Sequence, residues 1–372
     1  MARPQFRLVP YRLWPGINWF LIVVTLTLAV CGVLTLWGAT SDGRGPGPLR
    51  GFALKQIIFS GLGLVLMVAL IVFDYRLLKR ATWVLYGLLI VALAGLLLKG
   101  HAIKGAVSWY NLGGFTFQPS EPGKIVVILA LAHYLAPRMT RFRGLRHTLV
   151  PLGIVAVPLL LILVQPALGS AAVLVPVTAA LFWVAGLRRW IFVAGFALGI
   201  LVCVVGYPHL KDYQKERIKT FVDPGADPRG KGWNILQSQT ALGSGELFGK
   251  HWGHGTQTTF RYLPEYHTDF IFPTVGEQFG LVGCLAVLGL LLCLVGALVH
   301  LAGVVQNLYG VLIVTGLATM LATHVVLNVG MCVGLLPVTG LPLPFFSYGG
   351  SFVLTCMGAV GLALGIGARR GL

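Results

Sequence analysis

Ten apolar runs set the limits on what this chain can fold into. They cover residues 17–38, 52–73, 81–98, 121–136, 148–164, 169–186, 190–206, 270–299, 303–333 and 351–368. About 20 apolar residues in a helix cross the hydrocarbon of a bilayer. A helix also satisfies its own backbone polar groups, which lipid cannot do. The other spanning solution, a β-barrel, requires alternating segments of about ten residues, whereas these runs are continuous. Glycines spread through the runs fit this reading, because small residues let membrane helices approach one another closely. Only 10% of the residues are charged, against 56% hydrophobic, which excludes an ordinary soluble domain. The expected architecture is therefore an all-α integral membrane protein, a single membrane domain over residues 1–372. It would have about ten transmembrane helices and a large extracytoplasmic loop, residues 207–270, between the seventh and eighth.

Orientation follows from the basic residues. With the N-terminus in the cytoplasm, the short inside segments hold Arg3, Arg7, Arg12, Arg76, Lys79, Arg80, Arg138, Arg141, Arg143, Arg146, Arg188, Arg189, Arg369 and Arg370, half of the 28 basic residues. The short outside segments carry only Arg44, Arg50, Lys99 and Lys104, with Lys55 and Lys124 near helix ends. This is the positive-inside pattern, with both termini cytoplasmic. It explains the net charge of +17 as an orientation signal and a contact for anionic lipids, and argues against nucleic acid as a partner. The first run is too long for a cleaved signal peptide and no small-x-small site follows it. All six cysteines fall within apolar runs, which speaks for packing and against a disulfide framework or a zinc cluster.

The carboxylates are few and badly distributed for a purely structural role. Of 11 Asp and Glu, seven (Asp212, Glu216, Asp223, Asp227, Glu246, Glu265 and Asp269) lie in the 207–270 loop. Asp269 stands at the seam between that loop and the eighth apolar run, in Leu263-Pro-Glu-Tyr-His-Thr-Asp-Phe270. Its bland role would be a helix cap, since Pro273 confines the helix start to within about a turn. Glu121 lies at the start of the fourth run, where Ser120 is a suitable cap and the helix dipole favours an anion. Lys124 is one turn further on, and an ion pair with Glu121 is the structural alternative to a functional role at membrane depth.

Three polar segments interrupt the apolar runs, at 99–124, 207–270 and 335–351. Leu210, Tyr213, Ile218 and Phe221 recur at helical spacing with cations on the other faces, predicting an amphipathic helix on the outer surface. Gly243-Ser-Gly-Glu-Leu-Phe-Gly-Lys250 resembles a phosphate loop in its glycines but fails the pattern at Ser244 and His251. His251 and His254 have ligand spacing but lack a third ligand. Residues 335–351 are too broken by proline and glycine for a lipid-facing helix, and irregular backbone at that depth must be buried in protein or line a cavity.

Taken together, several stretches resemble the SEDS family (shape, elongation, division and sporulation), the membrane peptidoglycan polymerases of bacteria. They are Phe117-Gln-Pro-Ser-Glu121 with Lys124, Gln237-Ser238, Gly243-Ser-Gly245, Gly249-Lys250, Gly255-Thr-Gln257, Leu263-Pro-Glu265, His267 to Phe272, Glu277, Asn328-Val-Gly-Met331, and Leu335 to Ser351. They span the chain in the family's order. Asp74-Tyr75-Arg76, Asn111 to Phe115 and the short N-terminal segment are similar to the elongation branch more than to the division branch. Gly123, Gln278 and Ala106-Val-Ser108 depart from the usual pattern.

The resemblance implies polymerisation of lipid II into β-1,4-linked glycan with release of undecaprenyl pyrophosphate, at the outer face of the bacterial cytoplasmic (inner) membrane. It implies that Asp269 is the base for the acceptor hydroxyl, and that Glu121, Lys124, Arg217, Lys250, Arg261, Gln257 and Ser347 serve the substrate or its pyrophosphate. It further implies a divalent cation, Mg or Mn, without a dedicated site readable in the sequence. The implied partners are a class B penicillin-binding protein, elongation proteins of the MreBCD type, and membrane lipids. The competing reading is a transporter that moves lipid II across the bilayer. The gathering of acids on one side, and not along a mid-membrane path, tilts toward an enzyme. A passive scaffold for a cell-wall complex would need no carboxylate at 269.

Overall fold

The computed structural model describes residues 16–40, 50–99, 101–103, 106–111, 113, 116–139, 145–206, 208, 215, 231–260 and 262–369. Its helices are α1 (Trp19–Thr40), α2 (Arg50–Val72), α3 (Tyr75–Lys99), α4 (Ser120–Leu135), α5 (Leu145–Val164), α6 (Leu168–Val184), α7 (Arg189–Gly206), α8 (Lys231–Ser244), α9 (Thr256–Thr259), α10 (Ile271–Val304), α11 (Leu308–Cys332) and α12 (Gly350–Ala368). Each of the ten apolar runs is thus a helix, with ends shifted by a few residues from the hydropathy boundaries. Among the described residues, seven of them, α1, α2, α3, α5, α10, α11 and α12, are long and apolar enough to cross a membrane. Apart from Lys215, the segment predicted as an amphipathic surface helix lies outside the described residues, as do Arg3, Arg7, Arg12, Arg141, Arg143 and Arg370.

Burial explains why α4, with only 16 residues, need not match the bilayer. At about 1.5 Å per residue it spans roughly 24 Å, short of the hydrocarbon thickness. It is surrounded by α3, α5, α6, α11 and α12, and most of its side chains are buried. α12 is likewise a central helix, packed chiefly on α2. A Cβ on Gly361 would fall 2.6 Å from the Met67 carbonyl oxygen, and one on Gly365 would fall 2.6 Å from that of Leu70. The two backbones therefore touch, the close approach that small residues permit between membrane helices. α2 and α3 turn aliphatic faces outward: Ile58, Val65, Val84 and Val91 are exposed, as a lipid-facing surface requires.

The 99–124 segment holds three short antiparallel strands that the sequence reading did not assign. β1 (His101–Ile103) pairs with β2 (Ala106–Asn111), which pairs with β3 (Thr116–Phe117). Tyr110 donates to the Ala92 carbonyl (2.8 Å) and Ser108 to that of Gln165 (3.2 Å), fixing the sheet to α3 and to the α5–α6 turn.

α10 is broken at Gly280 (φ +68°). There the Leu281 and Val282 N–H groups donate to the carbonyls of Glu246 (2.9 Å) and Leu247 (3.1 Å), while the Glu277 carbonyl accepts from Lys250 N (2.9 Å). The glycine-rich loop is thus a plug stitched into the interrupted helix, and its glycines serve packing: Gly249 (φ +81°) lies against Gln278.

Candidate active site

Between the loop 265–269, the connector 333–349 and the starts of α4, α6 and α12 lies a cavity of about 370 Å³. Its lining includes Asp269, Glu265, Thr268, Glu121, Gly340 and Tyr348. The loop carrying Asp269 is held from several sides. Phe270 and Thr268 N–H groups both donate to the Glu265 carbonyl (3.1 Å each), making a tight turn with Glu265 at φ +54°. Asn328 Nδ2, fully buried on α11, donates to the Asp269 carbonyl (2.8 Å) and to that of Leu341 (2.7 Å). Tyr348 N donates to the His267 carbonyl (2.8 Å), and Phe52 of α2 stacks on His267 with ring centroids 4.5 Å apart.

Asp269 is half-buried, on the cavity wall, two residues before α10 begins. Phe270, and not Asp269, occupies the N-cap position of α10. Gly340, at φ +67°, faces the carboxylate so closely that a Cβ there would sit 3.3 Å from Oδ2. The connector is irregular and buried at Leu341, Leu343, Phe345 and Phe346, the arrangement its prolines and glycines predict.

Beneath the cavity is a buried charged cluster. Lys124 Nζ donates to both carboxylate oxygens of Glu121 (2.8 and 2.9 Å) and to His324 Nε2 (2.9 Å). An ammonium has no acceptor, so Nε2 accepts and the proton sits on Nδ1, which donates to the Pro342 carbonyl (3.2 Å). Ser120 is the first residue of α4 rather than its cap, and its hydroxyl lies 3.5 Å from that of Ser170. Lys124, expected to meet pyrophosphate, is 1% exposed and absent from the cavity lining. Its charge is neutralised by Glu121, and the pair ties α4 to α11 and to the connector.

Three other expected substrate residues are also elsewhere. Lys250 pairs with Glu277 (3.5 Å) and donates to Thr256 Oγ1 (2.8 Å). Glu277 is fully buried and accepts from the backbone N–H groups of Gln257 (2.7 Å) and Thr258 (3.3 Å). It thereby anchors α9, which packs on α1, and neither Lys250 nor Gln257 lines the cavity. Ser347 is buried, donating to the Thr268 carbonyl (2.6 Å) and accepting from Leu343 N (2.7 Å), so it braces the aspartate loop from behind. Arg217 and Arg261 lie outside the described residues. Sequence reasoning passed over Glu265, Ser170, Tyr348 and His324. His324 and Asn328 did carry a signal: two polar side chains four residues apart, on one face of an otherwise apolar span.

Apolar helices enclosing a carboxylate-lined cavity at one end of the bundle define a multi-pass membrane protein. Residues 17–370 match the model of the FtsW/RodA/SpoVE family, described as cell cycle proteins, and the chain belongs to that family. It is 36% identical, over 99% of its length and 96% of the relative's, to a protein of Trichlorobacter lovleyi named probable peptidoglycan glycosyltransferase FtsW. It is 35% identical, over 94% of its length and 93% of the relative's, to peptidoglycan glycosyltransferase MrdB of Escherichia coli K12. Among solved structures, a chain of a peptidoglycan synthase complex that coordinates polymerization and crosslinking superposes with a TM-score of 0.81 (32% identity, 95% of this chain and 98% of that one). RodA of Thermus thermophilus superposes with 0.72 (31% identity, 96% and 99%). The chain is close to both FtsW and RodA.

Proposed function

We propose that this protein is an inverting peptidoglycan glycosyltransferase that polymerises lipid II at the outer face of the cytoplasmic membrane. The observation that carries this reading is the half-buried Asp269 carboxylate on the wall of a 370 Å³ cavity, braced through its backbone by Asn328 and through its neighbour Thr268 by Ser347. That volume falls within the range of small-molecule sites, about 300–1,000 Å³, and suits the reacting sugars rather than the whole lipid. Asp269 removes the proton from the acceptor 4-hydroxyl as the oxygen attacks the anomeric carbon of the donor. The bond to the diphosphate breaks with its electron pair, releasing undecaprenyl pyrophosphate, and in-line attack converts the α-linked donor to a β-1,4 bond.

Among the described residues no three His, Cys, Asp or Glu side chains gather to hold a metal, and both Glu121 oxygens are committed to Lys124. The described residues form no resident cage, and we assign the Mg or Mn ion that the family resemblance implies to the donor's phosphates. The charge pattern supports a cytoplasmic-membrane location with both termini inside. The sequence features around Asp74 and Asn111 support elongation and rod shape, with MreBCD-type proteins as associates. The likeness to a chain of a synthase complex supports a class B penicillin-binding protein as partner.

The test is purified protein supplied with lipid II. Asp269→Asn is expected to lower glycan synthesis by at least about a hundredfold while leaving the fold intact. Equal glycan from both proteins would refute the reading. Movement of labelled lipid II in proteoliposomes that survives Asp269→Asn would support the transporter instead.

A further inference from the structure

The stretch of connector that faces Asp269 has no backbone ladder to hold it. Among the described residues, 337–342 make no backbone–backbone hydrogen bond, and Pro337 and Pro342 have no N–H to offer one. Thr339, Gly340, Leu341 and Pro342 all line the cavity, and a Cβ on Gly340 would lie 3.3 Å from Asp269 Oδ2. The position of this stretch therefore sets the packing against the carboxylate. Its carbonyls are held instead by one face of α11. Asn328 Nδ2 donates to the Leu341 carbonyl (2.7 Å) and to that of Asp269 (2.8 Å). His324, one turn earlier, donates from Nδ1 to the next carbonyl, that of Pro342 (3.2 Å). Both side chains are buried, at 0% and 1% exposure, so bulk water does not compete for these carbonyls.

His324 can donate at Nδ1 because of what faces its other nitrogen. Lys124 has three ammonium hydrogens, of which two go to the Glu121 oxygens (2.8 and 2.9 Å) and the third to Nε2 (2.9 Å). A neutral imidazole carries one N–H, and an ammonium with nothing to accept it leaves that hydrogen on Nδ1. Phe352 of α12, itself part of the cavity wall, packs on the ring with centroids 4.7 Å apart. Three helices thus fix the imidazole: α11 carries it, α4 sets its tautomer, and α12 covers its face.

We propose that His324 is a positioning residue for the base. The Glu121–Lys124 pair fixes its tautomer, and its Nδ1–H holds the Pro342 carbonyl so that Gly340 stays seated against Asp269. This rests on the glycosyltransferase reading and deepens it, because the buried pair then serves the reaction through the connector. The demand is one of geometry: a displacement of about 1 Å from the productive arrangement costs about a hundredfold in rate.

The experiment uses the purified full-length protein in detergent with lipid II, and reads kcat, KM, thermal unfolding and amide hydrogen exchange over 337–343. Two substitutions separate the two bonds of the imidazole. His324→Gln places its amide where Nε2 stood, so Lys124 keeps an acceptor and Pro342 loses its donor. His324→Asn places its amide where Nδ1 stood, so Pro342 keeps a donor and Lys124 loses its acceptor. His324→Gln is expected to unfold as wild type does and to exchange faster over 337–343. Its kcat is expected to fall at least about tenfold, with KM within about threefold of wild type. His324→Asn is expected to be the less stable variant, yet to exchange slowly over 337–343 and keep kcat within about threefold of wild type. The reverse order, with His324→Asn inactive and His324→Gln active, would overturn the proposal and leave His324 as a partner for the ion pair only. So would a rise in KM with kcat unchanged in His324→Gln, losses in both variants that follow their unfolding temperatures, or equal exchange over 337–343 in the two. Failure of the polymerase reading would show separately, as no glycan from wild type while exchange still distinguishes the variants; that result keeps the hold on the connector and removes the reaction.

Discussion

Replacing Lys124 with methionine removes one half of a buried ion pair while keeping most of the side chain's volume. Glu121 and Lys124 are 3% and 1% exposed, with Nζ to carboxylate distances of 2.8 and 2.9 Å. At that separation and an effective dielectric of about 20, the attraction is roughly 6 kcal/mol. Relaxation and water entry reduce what is lost, and single-partner removal from such pairs costs about 3–5 kcal/mol because the remaining charge stays buried. His324 Nε2 loses its donor as well. Lys124→Met should therefore destabilise the protein by about 3–5 kcal/mol in equilibrium unfolding from detergent micelles. Glu121→Gln combined with Lys124→Met should recover about 0.5–3 kcal/mol of that loss, the range of coupling between touching residues. Two results would refute the reasoning: Lys124→Met within about 1 kcal/mol of wild type, or a double variant no more stable than the single. A lysine that held pyrophosphate directly would behave differently, losing substrate affinity with stability unchanged.

Gly340→Ala imposes a left-handed backbone on an L residue, costing about 1–2 kcal/mol, and puts a methyl against Asp269 Oδ2; glycan synthesis should fall more than stability does, measured on the same preparation. Glu277→Gln weakens the acceptor that anchors α9, so a loss of about 1.5–3 kcal/mol and faster amide hydrogen exchange at 256–260 are expected, and unchanged exchange there would disprove the anchoring role. Gly280→Ala should cost at least about 1–2 kcal/mol and free the 246–250 plug, seen as new protease cleavage between 244 and 255.

Hydrophobic periodicity made the helical class readable without tertiary information, because a bilayer-length apolar run has only one way to satisfy its backbone. The irregular connector was readable for the same reason: its prolines and glycines forbid a lipid-exposed helix. Asp269 stood out because carboxylates are scarce and this one sits at a loop–helix seam. The three strands at 101–117 escaped because each is too short to show a period, and they exist through contacts with α3 and the α5–α6 turn. The partners of charged residues escaped for a related reason. Glu121 and Lys124 are three apart on one helix, and their pairing could be foreseen. Lys250 and Glu277 meet only because Gly280 breaks α10 and admits a loop. Composition and order of residues determined that this chain is a helical membrane protein with a carboxylate at one end, since local patterns suffice to set both. That Lys124 and Lys250 are consumed by buried acids and that Ser347 braces the aspartate loop from behind were decided by packing alone, because a polar group's role depends on what the fold brings within a few ångströms of it.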